Sequence, residues 1–151
     1  MSNALPQDRL DRAIMALRLA DMIAHLRTLR KAQKALTLTA YLEDFEQQLA
    51  IERLIHLILE TALAINADAI AASGSPLPQN CFDSFVAAGG CGLISPELAA
   101  QLALSASLQY RQINEYDDLS AIVALQSIQH ILKLCSEYVR QVKTYAQRSL
   151  S

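Results

Sequence analysis

An all-α fold, an antiparallel up-and-down helical bundle forming one domain over residues 1–151, is predicted by three properties of this sequence. Apolar residues make up 52% of the chain but aromatics only 5%, so the core is to be filled with Ala, Leu and Ile. Glycine and proline number four each, too few to punctuate a sheet protein. The apolar residues also recur at three- and four-residue spacing over long stretches. A chain of 151 residues is long enough to bury a substantial core.

The first helix is expected over Gln7 to Lys34, with Pro6 at its mouth. Leu10, Ile14, Leu17 and Ala24 form one apolar row, and Met15, Leu19, Met22, Leu26 and Leu29 a second. A stripe that wide suits a helix packed on two neighbours. Thr37-Leu38-Thr39 supplies capping residues for the connection. The second helix is expected to run unbroken from Ala40 to Ala72, with Leu42, Phe45, Leu49, Ile55, Ile58, Leu59, Ala62 and Ile65 on its buried face. Ser73-Gly74-Ser75-Pro76 ends it, glycine as C-cap and proline beyond. Asn80 caps a short third helix, Cys81 to Ala88, which Gly89-Gly90 is expected to stop. Ser95-Pro96-Glu97 is a helix start, with Ser as N-cap, Pro in the first position and an acid in the first turn. That fourth helix runs from Pro96 to Gln112. The fifth begins at Asp117 or Ser120 and carries Ile122, Ile131, Leu132, Cys135, Val139 and Val142 toward Arg148. Three long helices and two short ones make the bundle.

Composition narrows the function classes. No run of about 18 uncharged apolar residues occurs, so no membrane span is expected. The nearest candidate, Leu54 to Leu63, is interrupted by His56 and Glu60. Arg9, Asp11, Arg12, Arg18 and Asp21 break the early apolar residues, so no signal peptide is expected and the chain reads as cytoplasmic. Net charge is −2, which does not advertise a nucleic-acid binder. Yet Arg9, Arg12, Arg18, Arg27, Arg30, Lys31 and Lys34, seven of the 13 basic residues, fall in the first 34 positions. They read as a solvated helix face suited to the dipole, with phosphate or an acidic partner as the alternative. Cys81, Cys91 and Cys135 have no CxxC spacing and no nearby histidine, which points to reduced thiols rather than a zinc site or disulfides. Cys135 belongs to an apolar stripe and reads as core.

Side chains able to do chemistry are few. Glu52, His56 and Glu60 stand at i, i+4 and i+8 on one face. One imidazole and two carboxylates on a single helix, with no second element, read as a polar seam rather than a metal site. His25 and His130 stand alone. Ser84, Ser105 and Ser107 lack any triad context. Gly89-Gly90-Cys91-Gly92 has no Lys-Ser/Thr ending and no strand before it, so it is no phosphate loop. What remains is Gln109-Tyr110-Arg111-Gln112-Ile113-Asn114-Glu115-Tyr116, followed by Asp117-Asp118. Two tyrosines, clustered amides and an acidic pair are unusual in a bundle of this composition. The plainer reading is a hydrophilic turn between helices.

Three segments in this order carry a resemblance: Asn80-Cys-Phe-Asp-Ser-Phe-Val-Ala-Ala-Gly-Gly, then Leu93-Ile-Ser-Pro-Glu-Leu-Ala, then the octet. From about Ala13 to Val142 the chain resembles the HepT-like HEPN proteins, the toxin half of HEPN/MNT toxin–antitoxin pairs. In that pattern a short helix ends in Gly, a Pro-Glu-Leu helix follows, and Arg-x-x-x-x-His-x-Tyr closes it. The family Tyr falls on Tyr116 and matches; the family His falls on Asn114 and the family Arg on Gln109, and neither matches. Arg111 stands two residues late.

The resemblance implies a HEPN-like bundle acting as a homodimer, with the two motifs facing one cleft at the seam. It implies a metal-independent ribonuclease without cofactor, whose His exchanges a proton with the ribose hydroxyl and whose Arg holds the phosphate. It also implies an MNT-type nucleotidyltransferase antitoxin as partner, which transfers AMP to the tyrosine. With Gln109 and Asn114 in the motif, the expectation is a chain that acts by binding that partner, or a nucleotide or RNA, rather than by cutting. Two rival readings stand beside it. One is an active ribonuclease using a displaced set, Arg111 and Tyr116 with Glu115. The other is an unrelated helical dimerisation scaffold.

Overall fold

The computed structural model describes residues 6–112 and 118–149, with side chains throughout except those of 6, 110–112, 118–125 and 149. Its elements are α1 (Pro6–Lys34), α2 (Leu38–Glu43), α3 (Phe45–Ala72), α4 (Cys81–Gly90), α5 (Pro96–Gln112) and α6 (Asp118–Ser149). No strand occurs among the described residues, and the all-α bundle expected from the sequence is what forms.

The second expected helix is in fact two. Thr37 Oγ1 accepts the Ala40 N–H at 3.1 Å and starts α2 at Leu38. Asp44 then leaves the helical region (φ −113°, ψ 93°), and its carboxylate accepts the Gln47 N–H at 3.0 Å to start α3. Thr37 and Asp44 are both strong N-caps, and the second cap interrupts an otherwise continuous apolar pattern. Gln48 spans the break by donating from Nε2 to the Tyr41 carbonyl at 2.6 Å. The break also corrects the expected buried face. Leu42, Phe45 and Leu49 are 37%, 57% and 40% exposed, whereas Ile55, Ile58, Leu59, Ala62 and Ile65 are buried.

The other caps follow the sequence. Gly74 takes φ +81° just after α3, a conformation that glycine adopts without a Cβ penalty. Asn80 Oδ1 accepts the Asp83 N–H at 2.8 Å at the start of α4, and Ser95 Oγ accepts the Leu98 N–H at 3.2 Å at the start of α5. Gly89-Gly90 does not stop α4, which runs through both residues. The turn is made instead at Gly92, at φ +85°. Gly89 serves packing instead, since a Cβ there would lie 2.6 Å from the Ala99 Cβ. Its bare α-carbon lets α4 and α5 approach closely.

α1 packs against α3 and α6. Its second apolar row is the buried one: Leu19, Met22, Leu26 and Leu29 are in the core, while Leu10, Leu17 and Ala24 of the first row face outward. Arg18 bonds the Ala64 carbonyl at 3.2 Å and forms an ion pair with Asp68, and Arg30 donates to Ser136 Oγ at 2.9 Å. Two of the seven N-terminal cations are therefore cross-links between helices.

α3 is long and apolar enough to cross a membrane by length and composition, with mean hydropathy 1.5. His56 and Glu60 interrupt the run without lowering its average enough to exclude it. Its Ile51, Ile55, Ile58, Leu59, Ile65 and Ile70 are buried inside the bundle, which accounts for that hydropathy.

Polar contacts inside this core are concentrated at one point. Asn66, fully buried, donates from Nδ2 to Ser84 Oγ at 3.1 Å and accepts from the Tyr138 hydroxyl at 2.6 Å. That hydroxyl also lies 3.1 Å from the Ala62 carbonyl. The Tyr138 ring meets Phe85 edge-on, with centroids 6.2 Å apart. Burial holds the phenol well above its ordinary pKa, so it remains a donor.

Two stability outcomes follow from this packing. Asn66→Ala takes the donor from buried Ser84 and leaves the Tyr138 hydroxyl only the Ala62 carbonyl, and is expected to lower the unfolding free energy by about 2 kcal/mol, against about 1 kcal/mol for Tyr138→Phe. Urea denaturation measures both, and an Asn66→Ala chain as stable as the parent would remove the network's structural role. Gly89→Ala is expected to cost about 1–3 kcal/mol through overpacking. Gly90→Ala, with nothing within 4 Å of the added Cβ, should be neutral or slightly stabilising. The difference in thermal midpoint between the two variants checks the close approach.

Candidate functional site

The motif expected from the sequence begins on the last turn of α5. That helix runs antiparallel to α6, and two polar rungs fix the register. At its start the Ser95 N–H donates to Gln141 Oε1 at 2.7 Å, and near its end Gln109 Nε2 donates to Ser127 Oγ at 2.6 Å. Both pairs sum to the same residue number, as a regular antiparallel pair requires. Leu98, Leu102 and Ala106 keep the intervening turns of α5 in the core.

Gln109 is only 8% exposed. Its carboxamide is turned inward and committed to Ser127, and it carries no charge. A guanidinium at this position would offer five donors in a planar fork that matches a phosphate; the amide offers two, one of them already engaged. Arg111 is placed on α5 by its backbone, but its side chain lies outside the described residues, as do Asn114, Glu115 and Tyr116 altogether. Leu104 and Leu108, on the same helix just before Gln109, are 62% and 54% exposed.

Several other side chains weighed as chemical groups have structural partners. His56 Nε2 lies 3.0 Å from Glu60 Oε1, one turn along the helix on a partly exposed face. Among the described residues no three His, Cys, Asp or Glu side chains group so as to hold a metal ion. Ser84 belongs to the buried network, and Ser107 Oγ donates to the Ala103 carbonyl at 2.7 Å.

The three cysteines are free, and Cys135 is buried in the core as its position on an apolar stripe predicts. Burial pushes the Cys81 thiol up to about 11 and the Cys135 thiol up to about 12. Neither is ionised at neutral pH, so neither is a nucleophile there. Sequence reasoning did not single out Ser127. Its only signal was a serine on the polar side of α6, eighteen residues after Gln109.

An all-α bundle with a polar, tyrosine-bearing stretch of sequence after its fifth helix has the architecture of the HEPN class. Within that class the chain belongs to the ribonuclease HepT-like family, whose profile matches residues 22–142. It is similar to a tRNA nuclease HepT of Aphanizomenon flos-aquae (strain 2012/KM1/D3). The two are 36% identical over 110 residues, covering 73% of this chain and 75% of that protein.

The raised thiol pKa values give a labelling prediction. At pH 8, below both values, Cys81 and Cys135 should react with a thiol reagent far more slowly in the folded protein than after denaturation. Mass mapping of the labelled sites checks this, and rapid native labelling of Cys135 would contradict its burial.

Proposed function

We propose that this chain is a HepT-like protein of a toxin–antitoxin module whose nuclease site has lost its two chemical groups, and that it acts by binding. The observation that carries this reading is the Gln109 carboxamide, neutral and bonded to Ser127, at the position where the family motif has its arginine. Asn114, at the histidine position, cannot exchange a proton near neutral pH. Losing general acid–base catalysis slows a reaction by about 10²- to 10⁴-fold. Losing one electrostatic donor to the developing charge slows it by about 10²- to 10³-fold. The two factors need not multiply, because residues acting as a unit are not additive.

In this reading the chain is a cytoplasmic homodimer. The exposed Leu104 and Leu108, five residues and one residue before the motif on α5, support an interface beside it. The motifs of two protomers then face a common groove, where RNA or a nucleotide lodges without being cut. The partner is an MNT-type nucleotidyltransferase, and the retained Tyr116 is the residue it would modify with AMP. The similarity to a protein named as a tRNA nuclease makes tRNA the RNA to try first. The same similarity favours one alternative, an active enzyme using Arg111 and Tyr116.

A cleavage assay on a tRNA pool separates these readings. The unaltered protein should cut no faster than a buffer control, and the double reversal Gln109→Arg, Asn114→His should cut at least about 100-fold faster. Cleavage by the unaltered protein at a rate near that of the reversed one, abolished by Arg111→Ala, would overturn the proposal in favour of the displaced set.

A further inference from the structure

Exposed cations gather where the end of α1 meets the middle of α6. Arg27, Arg30, Lys31 and Lys34 lie in the last turns of α1, and Lys133 lies one turn before Ser136 on α6. Arg30 ties the two groups together by donating to Ser136 Oγ at 2.9 Å, and the Ser136 hydroxyl itself donates to the Leu132 carbonyl at 2.7 Å. That anchor is neutral, so the Arg30 charge is left intact. Among the described residues none of these cations lies within ion-pairing distance of a carboxylate. Glu137, the acid nearest Lys133 in sequence, is held by Arg140. Asp21 stands six residues before Arg27, roughly 9 Å along α1. The local charge is strongly positive in a chain whose net charge is −2.

Folding does not account for this arrangement. The α1 dipole favours cations in its last turn, which holds Lys31 and Lys34. Arg27 and Arg30 precede that turn, and Lys133 is far from either end of α6. Arg27–Lys31 and Arg30–Lys34 are also like-charge pairs at i, i+4, a spacing at which like charges destabilise a helix.

The make-up of the face decides the kind of partner. No large apolar side chain is exposed among residues 27–34 of α1 or 126–136 of α6; those exposed on α1 are Leu10 and Leu17, toward its other end. The centre of a protein–protein interface is apolar and poor in lysine, and a helix lying on a membrane needs apolar side chains to insert. Nucleic-acid interfaces are polar and strongly cationic instead. The cations are also spread over two packed helices, whose axes in such pairs lie about 8–10 Å apart. Spread charge suits the repeated phosphates of a polymer rather than one small anion. We propose that this face binds the sugar–phosphate backbone of a folded RNA. It rests on the reading of the chain as an RNA binder given above, and adds a second, sequence-independent contact to the motif groove. Lys133 follows Ser127, the partner of Gln109, by six residues, roughly 9 Å along α6, so one RNA molecule reaches both.

Fluorescence anisotropy of a labelled tRNA pool, titrated with the full chain from about 50 to 200 mM salt, tests this. Each phosphate neutralised contributes about 0.7–0.9 to the slope of log affinity against log salt. The triple substitution Arg27→Gln, Lys31→Gln, Lys133→Gln should flatten that slope by about two and weaken binding at low salt about tenfold. Because it also removes like-charge pairs, its thermal midpoint should be no lower than the parent's; a lower one would mean that these cations serve the fold, and would overturn the proposal. A matched control, Arg9→Gln, Arg53→Gln, Lys143→Gln, removes the same charge at exposed positions elsewhere and should weaken binding less than about threefold. Equal weakening by both sets would reduce the effect to net charge and overturn the proposal. A triple variant that binds like the parent would overturn it too, leaving the RNA at the motif groove alone. No tRNA binding by the parent at the lowest salt would instead sink the RNA reading of the chain, and this site with it. Polyglutamate that displaces tRNA at equal charge concentration would assign the face to an acidic protein, against the proposal.

Discussion

The constraint on which the rest of this bundle depends is the satisfaction of one buried amide. Asn66 sits where α3, α4 and α6 meet, in a core built mainly from aliphatic side chains. Burying an amide without partners costs several kcal/mol on transfer scales. Its donor and acceptor are met from two different helices, by Ser84 and Tyr138. Aliphatic contacts tolerate small slips between helices, because Leu and Ile pack in many registers. Hydrogen bonds of 2.6 and 3.1 Å do not. The network therefore sets the register that the hydrophobic surfaces alone leave loose.

From that point the placement of the motif can be traced outward. Ser84 and Phe85 fix α4 against α3 and α6. Gly89 then brings α4 onto the first turn of α5, and the Ser95–Gln141 bond ties that turn to α6 one helical turn beyond Tyr138. Once α5 starts there, antiparallel geometry carries Gln109 to Ser127 with no further adjustment. The inward orientation of Gln109 is a consequence of register rather than of the motif's own chemistry. The same Gly92–Ser95 turn and the C-terminal half of α6 frame a cavity beside the start of α5, so both ends of that helix owe their geometry to one buried cluster.

How much of this could be read beforehand depended on the kind of signal. Helix starts at Asn80 and Ser95 and the stop at Gly74 were legible, because each is a local preference of the backbone with a single strong solution. The family pattern was legible too, since it rests on the order of short segments. The break at Asp44 was not: an N-cap inside an apolar periodicity competes with helix propagation, and periodicity alone gives no way to rank the two. The same ambiguity hid the exposure of Leu42, Phe45 and Leu49, whose apolar character is as strong as that of the buried Ile55 and Ile58. Gly89 was misread because glycine as helix stop and glycine as contact point look identical until the neighbouring helix is in place. Ser127 was invisible for a related reason, as its importance comes wholly from a partner eighteen residues away.

The burial of position 109 also bears on why an amide is tolerated there. A guanidinium confined to a site 8% exposed loses most of its hydration and is stable only if a counter-charge or several acceptors meet it. An arginine there would be met by a phosphate only while that phosphate is bound, and would otherwise stand desolvated. Gln109 removes that conflict: its neutral carboxamide is satisfied within the protomer by Ser127, whether or not RNA is present. Stability and phosphate binding thus pull in opposite directions at this position. Glutamine at this position serves the first of these, held in place by the Asn66 network, the Gly89 contact and the α5–α6 rungs.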